Sequence, residues 1–99
     1  NKNNFFIKNV VEKPSINSAP SNNAVIGRYI LPKKIFKKLK SQKKGKGGEI
    51  HITDAIRKLI FNGDKFIGHT FKGKYLDCGT MNGYIKSTKE IAKIWNYVW

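Results

Sequence analysis

Glu12 and Lys13 are the residues whose types and spacing most directly suggest chemistry. They are an adjacent acid and base that follow the apolar pair Val10 and Val11 and precede Pro14. A β-rich run leads into them, and proline cannot donate to a sheet ladder, so pairing stops there and two opposite charges emerge together at a strand end. In open α/β sheets, ligands settle in the crevice at the carboxyl ends of strands. A sugar phosphate would use both groups, the carboxylate for hydroxyls and the ammonium for phosphate. Asp77 is a second acid at the end of a short strand-like run, followed by the small-residue turn Cys78-Gly79-Thr80.

Other chemistries find less support. The single Cys78 cannot form an internal disulfide, and His51 and His69 lie too far apart in sequence to form a metal-binding Cys/His motif. A reducing cytoplasm is the expected compartment. No apolar run approaches the roughly 20 residues needed to span a bilayer, so no membrane partner is expected. The 20 basic residues against six acidic ones give a net charge of +14, which at face value suggests a polyanion. Eight of the lysines, however, fall between positions 33 and 46, on a helical pattern and a Gly-rich loop. A solvated helix face accounts for them better than a phosphate rail. A small basic nucleic-acid-binding module using these lysines and exposed aromatics remains the alternative from another class, but it gives no reason for Glu12-Lys13-Pro14 or for Asp77 before Gly79.

The 99 residues fit one small domain or a piece of a larger one. Because the chain opens on Asn1 and runs almost at once into Phe5-Phe6-Ile7, it reads as a fragment entered partway through a sheet. Residues 5–11 are an expected strand and 15–23 a surface loop. Residues 24–31, nearly all apolar, are expected to form a strand buried on both faces. Gly27 within it marks either a packing glycine or a close approach of ligand to backbone, and Arg28 then needs a carboxylate partner or a sheet edge.

Pro32 suits the first turn of a short helix carrying Ile35, Phe36 and Leu39. The following loop, 41–48, lacks the G-x-x-x-x-G-K-[ST] order of a phosphate-binding loop. Thr53 is the expected N-cap of a helix with Asp54 in its first turn, a stripe of Ala55, Ile56, Leu59 and Ile60, and an end near Asn62-Gly63. Capping alone accounts for both Thr53 and Asp54. Residues 65–71 and 74–76 read as short strands flanking a bend at Lys72-Gly73, with His69 a strand residue rather than a base. Residues 82–99 read as a long helix whose terminal tryptophans suggest docking; a non-catalytic interaction domain using Tyr97 and Trp99 rests on that tail alone.

Taken in order, Glu12-Lys13-Pro14, Ser21-Asn22, Ala24 to Tyr29, Gly47-Gly48-Glu49-Ile50, Thr53-Asp54-Ala55-Ile56 and Asp77-x-Gly79 resemble the second half of the sugar-1-phosphate nucleotidylyltransferases. The likeness runs from about Ile7 to Ile94. Gly47 to Ile50, Thr53 to Ile56 and Gly83 to Lys86 look more like the uridylyl branch of that family than the thymidylyl branch. The resemblance implies an α/β fold, the C-terminal half of a Rossmann-like nucleotidyltransferase domain with a mixed sheet flanked by helices. It implies that residues 1–99 are the sugar-phosphate-binding part, the nucleotide-binding half lying outside them.

The implied reaction joins UTP and glucose 1-phosphate into UDP-glucose and pyrophosphate, with Mg²⁺ as cofactor; a related nucleotidylyl transfer using dTTP or another sugar phosphate is the alternative within the family. Within it, Glu12 matches an acid that binds glucose hydroxyls, Lys13 a lysine on the sugar phosphate, Val25 and Gly27 the lining of the sugar pocket, and Asp77 a magnesium carboxylate. A homo-oligomer is expected for the full-length enzyme, and no nucleic acid. By the same likeness the isolated segment is expected to be inactive, since the phosphate-binding loop, the uracil contacts and a second metal carboxylate belong to the family's first half.

Overall fold

Apolar residues recur at helical spacing twice in the middle of the chain, and those two stretches build the core. In the computed structural model, which describes residues 2–96, α1 (Ile35–Lys40) buries Ile35, and α2 (Ile52–Phe61) buries Ala55, Ile56 and Leu59. The two helices pack against each other. Val10 joins the same cluster from the chain that follows the first strand, with Ile7, Leu31, Leu39 and Phe66 packed around it. At the end of α2 the Gly63 and Asp64 amides turn back onto the Ile60 and Leu59 carbonyls, both at 3.0 Å, which satisfies carbonyls the helix leaves free.

The sheet consists of β1 (Asn4–Ile7) and β2 (Phe66–His69), paired antiparallel with Asn4 opposite His69 and Ile7 opposite Phe66. The Thr70 amide extends the pairing to the Asn3 carbonyl at 2.8 Å. Phe5 stands opposite Gly68, and its ring occupies the space a side chain would take there. His69 is a strand residue, as its surroundings in sequence imply, and its Nδ1 donates to Asn4 Oδ1 at 2.6 Å across the ladder.

Several expectations are corrected. The first strand ends at Ile7 rather than continuing to Val11, because Val10 turns inward to the helices instead of staying in a ladder. Residues 24–31 form no strand: the left-handed φ values of Gly27 (112°) and Arg28 (59°) interrupt the run in its middle, and Ile30 is fully exposed. Arg28 adopts a left-handed φ of 59° and is exposed, with no carboxylate partner among the described residues. Residues 74–76 are likewise not a strand, and the bend at Lys72-Gly73 makes no hairpin, since β2 pairs with β1 across more than half the chain. The α/β character holds with a two-stranded antiparallel sheet in place of a mixed one.

The last helix, α3 (Met81–Ile94), is N-capped by Thr80, whose hydroxyl accepts the Gly83 amide at 3.0 Å. Tyr97 and Trp99, on which the docking reading rests, lie outside the described residues. Among the described residues no helix is long and apolar enough to cross a membrane. The molecule is open for its size. Its radius of gyration is 16.7 Å, against about 13 Å for a compact chain of this length. Its accessible surface is 8922 Å², against about 5,700 Å² for a compact monomer of this mass.

Candidate functional site

Val10 anchors the backbone in the core, and two residues later Glu12 reaches the N-terminal turn of α2. Its Oε2 accepts a hydrogen bond from the Thr53 hydroxyl at 2.6 Å, and its Oε1 lies 3.9 Å from His51 Nδ1. This corrects the reading of Thr53 as an N-cap. The cap residue is His51, which makes no side-chain capping bond, and Thr53 sits inside the first turn with its hydroxyl spent on Glu12. The positive end of a helix dipole favours a carboxylate there, and Asp54 sits in the same turn, as its position implied.

The loop from 42 to 51 closes on itself above this pair. The buried Gln42 donates Nε2 to the His51 carbonyl at 2.8 Å, the Gly45 amide reaches the Glu49 carbonyl at 2.8 Å, and His51 Nε2 lies 2.7 Å from the Lys46 carbonyl. A carbonyl only accepts, so that ring nitrogen carries the hydrogen. Lys46 in turn donates its ammonium to the Lys13 carbonyl. Lys13 has a φ of 39°, a left-handed conformation uncommon for a residue with a side chain. Its own ammonium is exposed and has no partner among the described residues. Acid and lysine are thus fixed through their carboxylate and backbone, and the lysine side chain is left open to an anion.

Val25 and Gly27 lie on an exposed segment without regular structure, with Val25 55% exposed. Gly27 has a φ of 112°, and nothing stands within 4 Å of where a Cβ would be. Glycine is required there by conformation and not by crowding.

Asp77 is built differently. Its Oδ1 accepts the Gly79 amide at 2.9 Å in an Asx turn, and its carbonyl accepts from the buried Ser87 at 3.4 Å. Gly83 on α3 lets that carbonyl approach: a Cβ on Gly83 would stand 2.2 Å from it. The groove beside Asp77, about 480 Å³, is also lined by Lys74, Leu76, Lys86 and Glu90. The Lys74 ammonium, hydrogen-bonded to Glu90, with Lys93 beyond it, holds the Glu90 carboxyl below its ordinary value. No hydrogen bond or ion pair among the described residues joins Asp77 to Glu12 or Lys13. No group of three or more His, Cys, Asp or Glu able to hold a metal forms among them either.

Sequence reasoning finds the acid–lysine pair but misses Gln42, Lys46 and His51. Nothing local distinguishes Gln42 or Lys46 from their polar neighbours, whereas His51, at the mouth of a helix and one residue from Thr53's first turn, stands where a side chain can face Glu12.

Residues 1–94 match the family model described as nucleotidyl transferase. The chain is 49% identical over 84 residues to the UTP–glucose-1-phosphate uridylyltransferase of Pseudomonas aeruginosa, covering 85% of this chain and 30% of that protein. To the enzyme of the same name from Bacillus subtilis it is 45% identical over 88 residues, again 30% of the relative. Among solved structures, UDP-glucose pyrophosphorylase complexed with UDP-glucose superposes with a TM-score of 0.84 at 47% identity, covering 93% of this chain and 34% of that one. The apo form of UDP-glucose pyrophosphorylase gives 0.80 at the same identity. The chain therefore spans about a third of the length of the proteins it resembles. A family match over nearly the whole chain, with a backbone that follows that of the pyrophosphorylase, places the chain in the nucleotidyl transferase family.

Proposed function

We propose that this chain supplies the sugar-phosphate side of the active site of an enzyme that joins UTP and glucose 1-phosphate into UDP-glucose and pyrophosphate. The observation that carries the reading is the agreement in sequence and backbone with a pyrophosphorylase described in complex with UDP-glucose. The chemistry of the site is consistent with it. In-line attack of the sugar-phosphate oxygen on the α-phosphorus of UTP brings two anions together, so the step needs positive charge and orientation more than a protein nucleophile.

In this reading the exposed Lys13 ammonium binds the phosphate of glucose 1-phosphate and offsets its charge as the two anions meet. Glu12 accepts hydrogen bonds from sugar hydroxyls through Oε1, since Oε2 is engaged by Thr53. Val25 and the open backbone at Gly27 line the pocket around the hexose. Asp77, an exposed carboxylate with one oxygen held by a backbone amide, is the residue that would hold Mg²⁺. A single carboxylate suits that ion, which takes one or two such ligands and completes its shell with phosphates and water. Bound there, magnesium supplies charge neutralisation for the phosphates. The nucleotide-binding half of the domain lies, on this proposal, outside residues 1–99. The whole enzyme is a cytoplasmic homo-oligomer whose partners are its substrates rather than nucleic acid or membrane.

The test is a chimera in which this chain replaces the matching third of the Pseudomonas relative. With UTP, glucose 1-phosphate and Mg²⁺ it is expected to release pyrophosphate, and Lys13→Ala or Asp77→Ala is expected to lower kcat/KM by about a hundredfold or more, the scale of losing one charge-stabilising group. A folded chimera without activity, or parental rates in both variants, overturns the reading. Light scattering on the same sample reports its oligomeric state.

A further inference from the structure

The pairing of Glu12 and Lys13 is local, but the bonds that orient them come from elsewhere in the chain. Thr53 contributes its hydroxyl to the Glu12 carboxylate from 41 residues away, and Lys46 its ammonium to the Lys13 carbonyl from 33 residues away. Lys46 is in turn held through its own carbonyl by His51 at 2.7 Å. His51 is held through its carbonyl by Gln42 at 2.8 Å, and Gln42 is only 7% exposed. The chain of bonds thus runs from a buried amide, through a closed loop, to the backbone of the one residue in the pair whose φ is left-handed. That conformation persists only where surroundings over-determine it.

We infer that Thr53, Lys46 and His51 form a clamp that holds Glu12 and Lys13 in their binding geometry, and that they are positioning residues for glucose 1-phosphate with no contact to UTP. The inference rests on the sugar-phosphate reading of Glu12 and Lys13. By taking Oε2, Thr53 fixes the rotation of the carboxylate and leaves Oε1 as the oxygen presented to a sugar hydroxyl. His51 faces that same oxygen at 3.9 Å with Nδ1, beyond direct hydrogen bonding, while its other ring nitrogen is committed to Lys46. Lys46 spends its charge on the Lys13 backbone, so the Lys13 side chain carries the free ammonium. The helix end at Thr53 adds a favourable potential for the carboxylate, but the hydroxyl decides which oxygen is used.

The experiment uses the active chimera and follows KM for each substrate separately. Thr53→Val keeps the shape and removes the hydroxyl; it is expected to raise KM for glucose 1-phosphate about tenfold, the scale of a hydrogen bond to a charged group, with KM for UTP within about twofold. Thr53→Ser restores the hydroxyl and is expected to recover the parental value. Lys46→Met, on an exposed loop where folding is not at risk, is expected to raise the same KM several-fold. Because Thr53 acts through Glu12, the double variant Thr53→Val with Glu12→Gln is expected to be no worse than Glu12→Gln alone.

If Glu12→Gln raises KM for glucose 1-phosphate while Thr53→Val and Lys46→Met leave it unchanged, the clamp is overturned and the binding assignment stands. Strictly additive effects of Thr53→Val and Glu12→Gln, or equal rises in both KM values, also overturn it. If Glu12→Gln itself changes nothing, the sugar-phosphate reading falls and the clamp with it.

Discussion

At the scale of single residues, the placement of Asp77 depends on the absence of a side chain elsewhere. Its carbonyl is pressed against Gly83, where a Cβ would come within 2.2 Å of a backbone oxygen, and neither partner is a flexible side-chain end that can swing aside. Gly83→Ala is therefore expected to push residues 77–79 away from α3, at a cost of about 1–3 kcal/mol, as for other overpacked contacts. Thermal melting reads the stability loss, and pyrophosphate release by the chimera reads displacement of Asp77. An unchanged melting point and an unchanged rate would mean that the contact does not hold in solution. The same scale separates the two acids. Glu12 is tied by a side-chain donor, whereas Asp77 is tied through a local turn, so its position follows the backbone from 77 to 83.

At the scale of elements, α2 is where packing and site meet. One face of this ten-residue helix is buried against α1 and Val10, and its N-terminal turn holds Glu12. Leu59, only 1% exposed, is the largest fully buried side chain of the core. Truncation to alanine is expected to cost about 2–5 kcal/mol. In a core this small, that loss should unseat α1 and α2 together, seen as a coincident fall of helical circular dichroism and of protection of the α2 amides. Loss of one signal without the other would show that the two helices do not form one unit. β1 and β2 pack against the same core through Ile7 and Phe66, so the strand that leads into Glu12 and the helix that receives it share one set of buried residues.

At the scale of the whole molecule, the surface is far larger than a compact chain of this mass requires, and much of the excess is apolar. Val25, Ile26, Tyr29 and Ile30 in one irregular segment, Tyr84 and Ile85 on α3, and Trp95 just beyond its end all stand exposed. Such surface is sticky in water. The isolated chain is expected to bind a hydrophobic dye such as ANS and to self-associate at micromolar concentration despite its net charge of +14. Within the chimera the dye signal per chain is expected to fall several-fold, because residues 24–31 then have a sheet to join. Equal dye binding in both would refute the idea that this segment is a strand awaiting partners. The high positive charge acts at this scale too, drawing anions toward the surface in a salt-dependent way.

Much of this was legible in the amino-acid sequence, and the parts that were share a physical reason. Helical spacing of Ile35 and Leu39, and of Ala55, Ile56 and Leu59, is a pattern within one or two turns, so α1, α2 and their buried faces follow from short windows of sequence. The adjacent acid and lysine, stopped by Pro14, are equally local, and the ordered motifs were enough to indicate the family. What the tertiary structure decided involves partners far apart in the chain. Pairing of Asn4 with His69, the hydroxyl of Thr53 turned to Glu12 instead of capping its helix, Lys46 on the Lys13 carbonyl, and Gly83 under Asp77 all depend on how loops close, which no local periodicity encodes. The apolar run 24–31 shows the converse. Its composition is that of a strand, but a strand exists only where the chain pairs with another segment, and among the described residues no segment pairs with it.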